Sequence, residues 1–296
     1  MRVLIVGCGY VGRPLGAELA RQGHEVFGLR RSAAAEDELK AAGITPLIAD
    51  ITQPDSLKKL PRDFDWVVNC AASGGGGADD YRKIYLEGNR NLLAWLADSP
   101  VKKFLYTSST SVYGQNDGAV VTETSPEAPA ADTAKVLVAA EMLLLAAVAA
   151  RKFPAVILRV AGIYGPERGH WFNQFLRGEA RMEGDGARWL NMIHRDDLIG
   201  VIIAALEKGK GGEIYNAADN APVSQRDFFA WLAAELNRPL PPVVPVDAEI
   251  WRKRGVTNKR VSNAKLRAEL KYEFRYPDFR AGYAAEIARR SEIKKR

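Results

Sequence analysis

A chain of 296 residues, 47% hydrophobic and 26% charged, can bury a full core as one large domain or two smaller ones. Its net charge of +6 invites a nucleic-acid reading, but no basic stripe interleaved with aromatics and no zinc-ligand spacing supports one. Much of the excess lies in the tail 289–296, read as a solvated helix end. The rest gathers in Arg252-Lys253-Arg254 with Lys259-Arg260, read as a phosphate-binding rim or plain surface.

Residues 1–6 form an apolar run of strand length. It breaks at Gly7-Cys8-Gly9-Tyr10-Val11-Gly12 and passes into an amphipathic, Ala/Leu-rich stretch. Strand, tight turn and helix with the spacing GxGxxG suit a dinucleotide pyrophosphate. Gly7 supplies the turn, Gly9 the close backbone approach and Gly12 the helix–strand contact. The helix start adds unpaired N–H groups and its positive dipole end. The opening run is too short for a signal peptide. The two cysteines, Cys8 and Cys70, fall at strand ends rather than in a spaced framework, so reduced thiols in a cytoplasmic protein are expected.

The second strand, 25–29, ends in Arg30-Arg31-Ser32. An acidic residue near this strand end suits the ribose 2′-hydroxyl of NAD, whereas arginine suits a 2′-phosphate. No carboxylate stands at the strand end, and Glu36 already belongs to the next helix. The expected cofactor is NADP(H) in preference to NAD(H). A helix over 33–42, a strand over 45–50 with Asp50 at its mouth, and a short helix at 57–60 follow. The fourth strand, 65–70, ends in Ala71-Ala72. The loop 73–77, Ser followed by four glycines, reads equally as a ligand cover or a mobile connector. Beyond it come a helix over 79–98, a fifth strand over 103–108, a helix over 132–150 and a sixth strand over 155–160. Residues 137–150 are very apolar but short and carry Glu141, so they read as a buried helix, not a membrane span. This alternation predicts an α/β fold: a Rossmann-type, doubly wound parallel sheet with its ligand over the carboxyl ends of the strands.

After Tyr164-Gly165-Pro166 the rhythm breaks. Residues 1–165 are assigned to the nucleotide-binding domain, to which 194–218 return with a helix and a strand. Residues 166–193 and 219–296 are assigned to a smaller substrate-binding lobe, where Trp171, Arg188, Trp189 and His194 suggest a ligand. His194 opens a helix followed by Asp196 and Asp197, which favours a capping or anchoring role over catalysis. Arg159 reads as an anchor between segments.

Taken together, the chain resembles the extended short-chain dehydrogenases/reductases, the NAD-dependent epimerase/dehydratase family. The resemblance rests on the glycine turn, Asp50-Ile51, Ala71-Ala72, Gly88 with Asn91, Ser108-Ser109 with Val112-Tyr113-Gly114, Arg159 with Tyr164-Gly165-Pro166, and 194–198. It implies a cofactor site of Gly7, Gly9, Tyr10, Val11, Gly12, Arg30, Arg31, Asp50, Ile51, Ala71, Ala72, Ser73, Thr107 and Ser108. It also implies Ser109 as the catalytic hydroxyl, and a homodimer through the helices after the fourth and fifth strands.

One departure is decisive. The family carries Tyr-x-x-x-Lys at the start of the helix after the fifth strand, where the lysine lowers the pKa of the tyrosine that serves as acid/base. Aligned on Lys135, this chain has Ala131 at the tyrosine position. Aligned on Glu141, it has Thr133 and Leu137 at the two positions. Neither register supplies the tyrosine. Tyr85 also replaces the family's usual asparagine in the preceding helix.

Two readings follow, neither of which needs a metal, a nucleic acid or a membrane. One is an enzyme with an atypical active site, an NADP(H)-dependent oxidoreductase or epimerase acting on a carbonyl or sugar-like small molecule. Ser109 would polarise the carbonyl and Lys135 would orient the cofactor, with Tyr113, Tyr85 or Asp132 as the proton donor. The other is a dinucleotide-binding regulator or scaffold that has lost catalysis.

Overall fold

The computed structural model describes residues 1–245 and 257–293. Seven strands form one sheet: β1 (Arg2–Val6), β2 (Glu25–Arg30), β3 (Ile44–Ile48), β4 (Trp66–Asn69), β5 (Lys103–Ser109), β6 (Ala155–Val160) and β7 (Ile214–Ala217). Their order is β7-β6-β5-β4-β1-β2-β3, and every neighbouring pair is parallel. The chain runs outward from β1 to β3, then returns to lay β4 on the other side of β1. That reversal leaves a crevice at the carboxyl ends of β1 and β4. The six expected strands and the returning β7 all appear, each within two residues of its expected ends.

The strands read as nearly unbroken apolar runs because both faces of the sheet are covered. On one face Leu4, Val6, Val67 and Phe104 pack with Leu92 and Leu93 of α3 (Gly88–Trp95) and Leu137 and Leu144 of α4 (Asp132–Arg151); α1 (Gly12–Arg21) and α2 (Glu36–Ala41) precede these in the chain. On the other face Val3, Ile5, Val68 and Leu158 pack with Leu15 and Leu19 of α1. Further apolar residues there come from Ala264–Leu270 and from the helix Arg195–Lys208.

By length and composition α4 could cross a bilayer, with a mean hydropathy of 1.9. Here its inner face lies in the core, and its one interior charge, Glu141, is buried in an ion pair with Arg159 of β6. On its outer face Met142 is 63% exposed.

The helix expected over 79–98 is helical from Ala78 to Trp95 but contains a π-helical turn, Arg82–Glu87. The wider turn frees the Tyr85 carbonyl, which accepts the Asn89 side-chain amide at 2.8 Å. Asn89 Oδ1 in turn accepts Asn69 Nδ2 at the end of β4, also at 2.8 Å.

A third core is built mainly on aromatic rings, joined by aliphatic residues such as Leu190, Val223 and Leu232. It draws Phe172 and Phe175 from α5 (His170–Arg177), then, past α6 (Arg195–Lys208), Phe228 and Phe229 from α7 (Gln225–Leu236). Beyond α8 (Ala264–Leu270), Phe279 and Tyr283 come from α9 (Phe279–Ile293). One stretch departs from the expected lobe. Arg260–Val261 pairs in parallel with Val120–Val121, and α8 buries Leu266 and Leu270 against the sheet. Four residues apart, these two leucines share one helix face, which is enough to dock a short helix. Of the basic run, Arg252-Lys253-Arg254 lies outside the described residues, as do 294–296. Lys259, expected on a rim or surface, is 4% exposed.

Candidate functional site

Gly7 closes β1 with φ +91°, a left-handed conformation that suits glycine. A Cβ there would stand 2.5 Å from the Ala71 Cα, so the glycine lets β1 and β4 meet at the crevice. A Cβ on Gly12 would fall 2.5 Å from the Gly7 carbonyl, but one on Gly9 would meet nothing within 4 Å. The turn is therefore packed behind and open in front. The first turn of α1 has neither an acidic residue nor a side-chain cap. Arg13 N–H donates to the Gly9 carbonyl at 3.0 Å and Pro14 carries no N–H, so the backbone N–H groups offered to a phosphate are those that precede Arg13. This arrangement fits a dinucleotide pyrophosphate.

A cleft of about 470 Å³ extends from this turn. At one side stand Arg30, Arg31 and Ser32 after β2, with Asp50 and Ile51 after β3. Ala71 and Ala72 line the middle, and Thr107, Ser108, Ser109 and Leu137 line the other side. Of the expected cofactor residues, Gly12 and Ser73 are not in the lining. Gly12 is spent on the helix–strand contact, and the Ser73 N–H donates to Tyr85 Oη at 3.3 Å. Arg30 Nη1 donates to the Cys8 carbonyl at 2.9 Å, tying β2 to the glycine turn, while Arg31 is exposed. Tyr10 lies beneath Arg168 and Arg195 at 4.8 and 5.3 Å from its ring, and burial pushes its phenol up to about 12. Asp50 Oδ1 accepts from the Thr52 N–H and hydroxyl at 2.9 and 2.8 Å.

The three expected catalytic side chains part company. Ser109 is buried at the end of β5 on the cleft wall, with its Oγ accepting from Ser111 N at 3.2 Å. Tyr113 is fully buried away from the cleft. Its hydroxyl donates to Asn216 Oδ1 at 2.9 Å and accepts from Arg159 Nη1 at 2.8 Å, and burial raises its pKa. Tyr113 is thus a link between β6 and β7, not an acid/base on the cleft. Lys135 is exposed on α4 and pairs with Asp132, also exposed, at 2.8 Å. Neither lines the cleft, because two positions along a helix turn a side chain by about 200°. Leu137 points inward instead. Of the two residues that the register anchored on Glu141 sets at the tyrosine and lysine positions, Leu137 lines the cleft and Thr133 is buried. Of the other candidate donors, Tyr85 alone lines the cleft.

Glu141, Arg159, Tyr113 and Asn216 form one buried network. Arg159 Nε and Nη2 donate to Glu141 Oε2 at 3.0 and 2.7 Å, and Nη2 also reaches Glu127. Ser108 donates to Glu141 Oε1. His194 caps α6 as expected, with Nδ1 accepting from Asp196 N at 3.2 Å. Among the described residues no group of three His, Cys, Asp or Glu side chains could hold a metal.

A second cavity of about 250 Å³ shares Ser109, Val160, Gly162 and Ile163 with the cleft. Trp171, Arg188 and Trp189 line it, and so does Lys259, which the sequence placed on a phosphate-binding rim or a plain surface. Lys259 Nζ donates to the Tyr113 carbonyl at 2.9 Å and to Thr257 Oγ1 at 2.8 Å. Burial, aided by the Arg188 charge, lowers its pKa to about 8. Nothing local distinguishes Lys259 from a surface lysine in a basic run; only the tertiary fold buries it.

Protein YeeZ of Escherichia coli K12 is 29% identical over 285 residues, covering 94% of this chain and 97% of its own length. A farnesyl dihydroquinoline-oxide ketoreductase of Stigmatella aurantiaca is 27% identical over 242 residues, 78% of this chain and 72% of its own length. The dTDP-glucose 4,6-dehydratase DesIV of Streptomyces venezuelae, solved with NAD and TYD bound, shares the fold with a TM-score of 0.82. Its identity is 23%, over 96% of this chain and 95% of that one. The profile described as the NAD dependent epimerase/dehydratase family matches residues 3–218, from the first strand through β7 with the whole cleft between. With the glycine turn, the strand order and the serine at the end of β5 all within that span, the chain belongs to the NAD-dependent epimerase/dehydratase family.

Proposed function

We propose that the protein is an NADP(H)-dependent oxidoreductase acting on the carbonyl of a small molecule. The observation that carries this reading is a single cleft with two arginines at its β2 side and Ser109 at its β5 side. Gly7, Gly9 and the start of α1 would hold the pyrophosphate, and Arg30, Arg31 and Ser32 the adenosine end. The bound nucleotide would supply or accept hydride; Ser109 would hydrogen-bond the carbonyl oxygen, and Tyr85 is the protic group left on the cleft. The ketoreductase among the relatives supports a carbonyl substrate. A homodimer through α3 and α4 accords with the exposed apolar side chain of Met142. The test is oxidation of NADPH by the purified protein against a panel of aldehydes, ketones and oxo acids.

Leu137 and Thr133 favour a second reading, a dinucleotide-binding regulator. NADPH binding without turnover on any member of the panel would support it. On either reading UDP-galactose is expected to be epimerised slowly or not at all, because the acid/base pair that such chemistry requires is absent. Rapid epimerisation would refute both.

Cofactor preference is testable by calorimetric titration. Charge-assisted hydrogen bonds contribute roughly 1.5–3 kcal/mol each, and an arginine fork grips phosphate bidentately. NADPH should bind about tenfold or more tighter than NADH, and most of the gap should close in an Arg30→Ala/Arg31→Ala double variant. Added salt should narrow it as well. Equal wild-type affinities would mean that the arginines do not read the 2′ position.

A further inference from the structure

We propose that the smaller cavity is an anion subsite in which Arg188 and Lys259 hold a carboxylate of the substrate beside Ser109. This deepens the oxidoreductase reading and rests on it for the role of Ser109. The substrate class it defines is a carbonyl compound carrying a carboxylate and an apolar or aromatic body.

Two cations share this wall. Lys259 uses two of its three N–H donors on protein oxygens, the Tyr113 carbonyl and the Thr257 hydroxyl. Arg188 donates from Nε to the Thr257 carbonyl at 3.2 Å. Its Nη1 is buried without a hydrogen-bond partner among the described residues. Nη1 is ion-paired with Glu183 at 3.7 Å, a separation too long for a hydrogen bond. Burial first, and then the Arg188 charge, depress the Lys259 pKa, and no Asp or Glu lines the cavity among the described residues. Burial costs both cations here, and the long pair to Glu183 is the ion pair that offsets it for Arg188 among the described residues. A bound anion would offset that cost. A guanidinium and an ammonium on one wall suit the two oxygens of a carboxylate. The indoles of Trp171 and Trp189 offer an apolar surface for the rest of the molecule. Because the cavity shares Ser109 with the cleft, an anion held here places an adjacent carbonyl at that hydroxyl.

The remaining titratable groups on the lining do not confuse a pH test. His170 is kept neutral near pH 7 by burial and by Arg177 and Arg188, and the Tyr164 and Tyr283 phenols are pushed far upward by burial. Lys259 is the group that loses its charge near pH 8. Anion affinity should therefore be full below that pH and fall above it.

The experiment is calorimetric titration of the NADP⁺-saturated protein with phenylpyruvate, its methyl ester and phenyl phosphate. Phenylpyruvate is expected to bind about tenfold or more tighter than the ester. That advantage should shrink from pH 7 to pH 9 and be lost in both Lys259→Met and Arg188→Gln, with ester binding unchanged. Two variants are used because either alone could disturb folding. Equal binding of acid and ester, binding of neither, or tighter binding of phenyl phosphate would overturn the carboxylate subsite. So would an acid preference that survives both substitutions. NADP⁺ binding is titrated first in the same samples. Normal nucleotide binding without an acid preference sinks this proposal alone, whereas failed nucleotide binding with the preference retained sinks the cofactor reading alone.

Discussion

Replacing Arg159 with methionine is expected to cost about 3–5 kcal/mol of stability at pH 8, the usual penalty for removing one partner of a buried ion pair. Arg159 is fully buried and gives hydrogen bonds to Glu141, Glu127, the Tyr113 hydroxyl and the Glu123 carbonyl. Without it Glu141 is a buried carboxylate, opposed only by the Ser108 hydroxyl. Burial pushes the Glu141 carboxyl up to about 7, with the Ser108 hydrogen bond pulling the other way; removing the adjacent Arg159 charge should raise it further. A carboxyl whose folded pKa lies above its unfolded value loses stability as pH rises between the two. The penalty should therefore ease as pH falls from about 7 toward the ordinary carboxylate range near 4.5. Urea unfolding followed by tryptophan fluorescence at pH 8 and pH 5.5 reads both quantities. A loss below about 1 kcal/mol, or one independent of pH, would mean that the network does not bear the stability assigned to it.

Ser109→Ala is expected to lower turnover about a hundredfold on an authentic carbonyl substrate, the typical cost of one hydrogen-bond donor to an oxygen that gains charge. The residue is well placed for that role because β5 ends there. A rigid strand carries the hydroxyl to the wall shared by both cavities, and Ser111 N–H fixes the Oγ at 3.2 Å. The loss should fall on kcat rather than on NADPH affinity, since the adenosine-binding residues lie on other strands. Full turnover in the alanine variant would show that this hydroxyl does not touch the reacting carbonyl.

What the sequence made legible was local. The glycine turn states its own purpose through spacing, and each βα unit carries its own apolar run, so the sheet and the cleft were predictable from short windows. The phase of α4 was not, because that helix is apolar on nearly all sides and its pattern does not say which face turns inward. Lys135 looked available for that reason, but it is exposed on α4 while Leu137 lines the cleft. Tyr113 sits four residues past Ser109, and only the long-range contacts with Arg159 and Asn216 show that it faces away from the cleft. The π-helical turn was hidden because it spans only Arg82–Glu87, too short a stretch for its change of period to show in the apolar pattern. Lys259 was hidden for the reason that makes it interesting: its partners are remote in sequence.

The bond from Lys259 to the Tyr113 carbonyl spans 146 positions of chain. Closing a loop of that size costs only about 2 kcal/mol more entropy than closing one of ten residues, since the cost grows logarithmically with length. Adding twenty residues anywhere between the two ends would raise it by roughly 0.1 kcal/mol. The surface turns of that span, which also carries β6 and β7 of the sheet, are thus nearly free, in entropic terms, to lengthen or shorten while the lysine keeps its place on the cavity wall with Ser109. Descendants of this chain could remodel the body-binding side of the substrate pocket by insertion and deletion without disturbing the end that holds the charge.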